Sequence, residues 1–120
     1  PGQILEKWLD RQFELVVSEH IIDELEHTLN KPYFQKHLTS SAIIAFTDLL
    51  QNKATIIPIT VKVKGIATHP EDDLVIAAAV SGKVDYLVTG DGPLLRKVSK
   101  YKGVTLMSPN DFLEVLNKQI

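Results

Sequence analysis

The 120-residue chain contains no cysteine. Disulfides and thiolate metal centres are therefore excluded, and a reducing compartment, the cytoplasm, is the expected location. Long apolar runs are missing as well. None approaches the roughly 20 residues that span a bilayer, so no membrane partner is expected. Positive charge is in short supply, with 13 Lys and Arg against 15 Asp and Glu and a formal net charge of −2. That balance argues against strong non-specific nucleic-acid binding but leaves room for a local basic patch. His20, His27, His37 and His69 form no H-x-x-x-H spacing, which removes that kind of zinc site. Gly90 and Gly92 flank Asp91 without making a dinucleotide loop or a P-loop.

What is present is ordinary globular material, 44% apolar and 23% charged, enough for one domain over residues 1–120 with its own core. Ile4, Leu5, Trp8 and Leu9 recur at helical spacing and predict a helix over 3–11. Phe13 to Val17 reads as a strand, and Ser18 as the N-cap of a helix over 19–30 that Pro32 stops. A turn is expected at 33–38, a helix at 41–51 and a strand at 54–59, with Pro58 marking its end or an edge strand. Residues 60–70 carry no clear pattern. The segment from Asp72 to Ser81 is apolar on every side and should be a deeply packed helix ended by Gly82. Tyr86 to Val88 is a strand, 94–100 a short basic helix and 104–107 a last strand. Ser108-Pro109-Asn110-Asp111 then opens a final helix with Ser at the N-cap and Pro at N1. Strands alternating with helices predict an α/β fold, a parallel sheet flanked by helices on both faces in three layers.

The chemistry concentrates in acids. Asp91 follows the strand Tyr86-Leu87-Val88 directly, at the carboxyl edge where α/β sheets place their ligand sites. His69-Pro70-Glu71-Asp72-Asp73 opens the apolar helix before it. Converging carboxylates suit a hard divalent cation, Mg²⁺ or Mn²⁺, which activates water and neutralises charge on a phosphoryl group. Each acid also has a plainer explanation. Asp72 or Asp73 can cap a helix, and Asp91 before Gly92-Pro93 can open a turn. On the helix after Ser18, Glu24 and Glu26 flank the apolar stripe on opposite sides, and the wheel does not choose between them. Arg96 and Lys97 follow Asp91 closely enough to contact RNA phosphates, though they equally suit a solvated helix face.

Taken in order, three segments resemble the PIN-domain family: Val17-Ser18-Glu19-His20-Ile21-Ile22-Asp23-Glu24-Leu25, Pro70-Glu71-Asp72-Asp73-Leu74-Val75-Ile76-Ala77-Ala78-Ala79 and Tyr86-Leu87-Val88-Thr89-Gly90-Asp91. The closing Val104-Thr105-Leu106-Met107-Ser108-Pro109-Asn110-Asp111-Phe112-Leu113 is similar to the family's tail. The resemblance is strongest to the toxin components of prokaryotic toxin–antitoxin modules. It implies a Mg²⁺- or Mn²⁺-dependent endoribonuclease with an acidic quartet, an RNA substrate, a cognate antitoxin and a homodimer. Glu24, Asp72 and Asp91 fall on the second, third and fourth acids, with Thr89 and Asp73 in support. The family often carries acids where this chain has His69 and Pro93. It also opens on a central strand ending in the first Asp. The resemblance therefore implies that such a strand belongs upstream of Pro1, and that residues 1–120 are the domain truncated at its N-terminus. The alternatives are a catalytically inactive PIN-like module that binds protein or RNA, and a metal-dependent phosphatase of other α/β topology.

Overall fold

In the computed structural model, which describes residues 2–119, twelve short elements follow one another. Helix α1 (Gly2–Leu9) leads to strand β1 (Val16–Ser18), then to helices α2 (Glu19–Leu29), α3 (Pro32–His37) and α4 (Ser40–Lys53). Strand β2 (Thr55–Ile57) is joined by an irregular stretch to α5 (Pro70–Ser81). Strand β3 (Tyr86–Val88), α6 (Gly92–Lys97), β4 (Lys100–Tyr101), β5 (Val104–Met107) and α7 (Pro109–Lys118) complete the chain.

The caps are local sequence chemistry. The hydroxyls of Ser18, Thr39 and Ser108 each accept the N–H three residues on, from Ile21, Ala42 and Asp111, and so satisfy donors that the first helical turn leaves free. Pro32 ends α2, yet it also sits in the first turn of α3, where its missing N–H costs nothing; the turn expected at 33–38 is therefore a helix. The basic helix expected at 94–100 is shorter and earlier, Gly92–Lys97, because Lys100 and Tyr101 pair with β5 instead. That antiparallel pairing closes through Lys102 (φ 46°) and Gly103 (φ 86°), two successive positive-φ residues as a tight two-residue hairpin turn requires.

The expected parallel sheet is present in two pieces. β1 pairs parallel with β2, with Val17 opposite Ile56. β3 pairs parallel with β5, and β4 adds an antiparallel edge, giving the order β3-β5-β4. Helix α5 packs against both β1 and β3 and so ties the two pieces together. Its end approaches β1 so closely that a Cβ on Gly82 would lie 2.9 Å from Val16 Cγ1.

The core lies along α5. Ile76 (0% exposed), Ala67, Leu94, Val98 and Leu106 form its buried centre, with Val63, Ile66, Val80, Leu87, Leu95 and Tyr101 packed around them. Three of these residues come from the patternless connection before α5. Burying such a stretch strands its amides, and two side chains of α5 collect them. Ser81 Oγ accepts the N–H groups of Thr60 and Val61 at 2.9 and 3.4 Å. The buried Asp73 carboxylate accepts those of Gly65 (3.0 Å, on Oδ2), Ile66 (3.2 Å) and Ala67 (2.7 Å, both on Oδ1). The connection thus runs back along α5 from its C-terminal end to its N-terminal end.

Two substitutions test this packing. Asp73→Ala leaves three amides of the connection without an acceptor and lowers stability by about 2–4 kcal/mol in urea unfolding. Asp72→Ala, one residue away, costs less than about 1 kcal/mol, since it removes only a favourable charge at a helix N-terminus. Ile76→Ala opens a cavity at the centre of the core and lowers stability by about 2–5 kcal/mol in the same measurement.

Candidate active site

The carboxyl ends of β1 and β3 and the start of α5 carry the residues singled out from the sequence. At β1 the chain turns straight into α2 at Ser18, which is 2% exposed. Glu24 then lies exposed on the solvent side of α2, while Glu26 is half-buried. At β3, Thr89 and Gly90 lead to Asp91, the N-cap of α6. Asp91 Oδ1 accepts the N–H of Leu94 at 3.2 Å, and the Asp91 N–H donates to Thr89 Oγ1 at 3.1 Å. The plainer explanation of Asp91 is thus a real part of its job: one carboxylate oxygen caps α6. Thr89 fixes the Asp91 backbone, and among the described residues none donates a hydrogen bond to Asp91 Oδ2.

The two adjacent acids of α5 diverge. The N-cap is His69, which makes no capping bond with its side chain, and Pro70 fills the first turn. Neither Asp72 nor Asp73 acts as the N-cap by which the sequence allowed both to be explained. Asp73 is 6% exposed and turned into the 65–67 backbone, whereas Asp72 is half-exposed. A carboxylate that already accepts three N–H groups has little left for a ligand. Asp72 is the acid of the pair that stays available.

The basic rim is exposed. Arg96 and Lys97 occupy the last turn of α6. The Arg96 guanidinium folds back over Gly92, where an added Cβ would meet Nη1 at 3.1 Å, so it lies one residue from Asp91 in the chain. Pro93 and His69, the two departures from the family pattern, sit at the N-termini of α6 and α5.

Whether these residues suit a divalent cation divides into two questions. The donor type suits one, since Glu24, Asp72 and Asp91 offer only carboxylate oxygen, the preference of Mg²⁺ and Mn²⁺. The arrangement does not: among the described residues no three His, Asp or Glu side chains stand close enough together to hold a metal ion. The sequence missed the clamp made by Asp73 and Ser81. A signal for it existed, because Asp73 shares a helical face with Ile76, Ala77 and Val80, and an acid on a buried face must find donors.

No curated protein and no solved structure gives a significant match. One family model, described as PIN domain, matches residues 1–92, a span that holds β1, α5, β3 and the acids Glu24, Asp72 and Asp91. PIN domains are generally nucleases and typically use divalent metal ions. With three quarters of its length inside that match, the chain belongs to the PIN-domain family.

Proposed function

We propose that the protein is an endoribonuclease that hydrolyses RNA phosphodiesters with Mg²⁺ or Mn²⁺, and that it is the toxin of a toxin–antitoxin pair. Family membership supports hydrolysis of nucleic acid. The observation that carries the local assignment is Asp91, held at the carboxyl end of β3 by Thr89 and Leu94, with no donor to its second oxygen among the described residues. Asp72 at the start of α5 and Glu24 on α2 are the further acids assigned to the site. Arg96 and Lys97 are positioned on α6 to attract phosphates of a single-stranded substrate. An antitoxin that covers these acids would silence the protein, and a homodimer and a cytoplasmic location are part of the same proposal. The proposal extends to a three-layer α/β arrangement with helices on both faces of the sheet.

A second reading has its own support. The described residues gather no cluster of three acids, which favours a non-catalytic module that binds RNA or protein with the same fold.

The deciding experiment is Mn²⁺-dependent cleavage of single-stranded RNA by the protein expressed from its native start codon. Asp91→Asn and Asp72→Asn should each lower cleavage by about 100-fold or more, as loss of a group that stabilises transition-state charge does. Asn is as good an N-cap as Asp, so Asp91→Asn should leave thermal stability within about 1 kcal/mol of the parent. RNA binding without cleavage, unchanged in both variants, would establish the binding module instead. Preferential hydrolysis of p-nitrophenyl phosphate would point to a phosphatase.

A further inference from the structure

Helix α3 carries Tyr33, at 65% the most exposed large apolar side chain among the described residues. A lone aromatic on a surface needs no explanation. Tyr33 differs from that case in how it is held and in what surrounds it.

Its side of the helix is fixed. Gln35 Nε2 donates to Leu29 C=O at 3.3 Å and to Asn30 Oδ1 at 3.2 Å, which ties α3 to the end of α2. Successive helical residues lie about 100° apart, so Tyr33, two positions from Gln35, stands on the opposite side. Lys36 and His37, three and four positions on, share the Tyr33 side. The Tyr33 ring meets those of Phe34 and His37 at 5.1 and 4.5 Å between centroids, with interplanar angles of 86° and 61°. Neither neighbour stacks flat upon it.

The surrounding stretch is cationic. No Asp or Glu occurs between Glu26 and Asp48, whereas Lys31, Lys36 and His37 bracket the ring and are all exposed. In a chain of net charge −2 this is a local excess of positive charge. No residue of α3 lines the space between the two pieces of sheet, so the exposure of Tyr33 does not follow from their separation.

We infer that the outer side of α3 is a subsite for single-stranded RNA, in which one unpaired base stacks on Tyr33 and the flanking phosphates lie against Lys31 and Lys36. The inference rests on the proposed RNA substrate and adds a contact made by none of the acids. A ring with a cation on either side matches the alternation of base and phosphate along a strand. Every base has a face that can stack, and the lysines attract the backbone whatever its sequence. In a duplex those faces are already stacked on one another, so the subsite selects unpaired RNA.

The test is binding of a decauridylate with one central 2-aminopurine, whose fluorescence is quenched when the base stacks. EDTA prevents cleavage during the titration, and thermal unfolding confirms that each variant is folded. The parent should bind and quench. Tyr33→Leu should lose the quenching and weaken binding by about tenfold, while Tyr33→Phe stays within about twofold of the parent. Lys36→Gln should keep the quenching and lower the salt dependence by about one phosphate contact. Pairing the oligonucleotide with its complement should abolish the difference between parent and Tyr33→Leu. Equal binding and quenching by parent and Tyr33→Leu, or no binding by the parent, overturns the inference. So does a homodimer that Tyr33→Leu disrupts without any change in RNA binding. A second arm adds Mn²⁺ and single-stranded RNA. Cleavage by a Tyr33→Leu protein that binds like the parent would leave the nuclease proposal standing without this subsite. Quenching by a parent that never cleaves would keep the subsite and remove the nuclease.

Discussion

Three backbone amides converging on the carboxylate of Asp73 hold this structure in register. Gly65, Ile66 and Ala67 belong to a stretch with no helix or strand to pair its N–H groups, yet Ala67 is 5% exposed and Ile66 packs against the core. Ionised Asp can accept on both oxygens, so one side chain supplies every acceptor this bend needs. Hydrogen bonds to a charged acceptor are also stronger than neutral ones. Remove the carboxylate and residues 65–67 lose their acceptor, leaving Ser81 and apolar packing to hold the connection against α5. Ile66 and Ala67 would then keep their places in the cluster around Ile76 only at the expense of unpaired amides.

This clamp also sorts the acids. Adjacent residues of a helix point about 100° apart, so Asp73 turned inward leaves Asp72 turned outward. α5 contacts β1 and β3 together, and its first turn is pinned by the same clamp. Asp91 is fixed independently, through its cap to Leu94 and its bond to Thr89. The start of α5 and the end of β3 are therefore each held by side-chain hydrogen bonds. Glu24, exposed on α2, is tied down by neither.

Much of the fold was legible. Apolar periodicity gives the helices. Ser18, Ser108 and Pro109 mark helix starts, and the Tyr86-to-Val88 run marks the strand that leads to Asp91. Three features were not legible, for physical reasons. The helix α3 depends on Pro32 beginning a new helix while ending the previous one, and a lone proline reads first as a stop. β4 is two residues long and exists only by pairing with β5, a contact no local pattern announces. The division of the sheet is a matter of neighbours in space, since a strand's sequence does not say whether both its edges are filled. As for the site, spacing singled out Asp91 and left Asp72 and Asp73 as alternatives, and only the family resemblance chose Asp72. In the structure the distinction between Asp72 and Asp73 rests on tertiary hydrogen bonds to residues 65–67.

The most direct test of the clamp is hydrogen exchange at the amides of Gly65, Ile66 and Ala67 in the parent, Asp72→Asn and Asp73→Asn proteins. The three amides should be protected like core amides in the parent and in Asp72→Asn. In Asp73→Asn protection should fall, most sharply at Gly65, where the new amide nitrogen sets donor against donor. Rapid exchange of all three amides in the parent, or equal protection in both variants, would show that Asp73 does not hold this connection and would contradict the account.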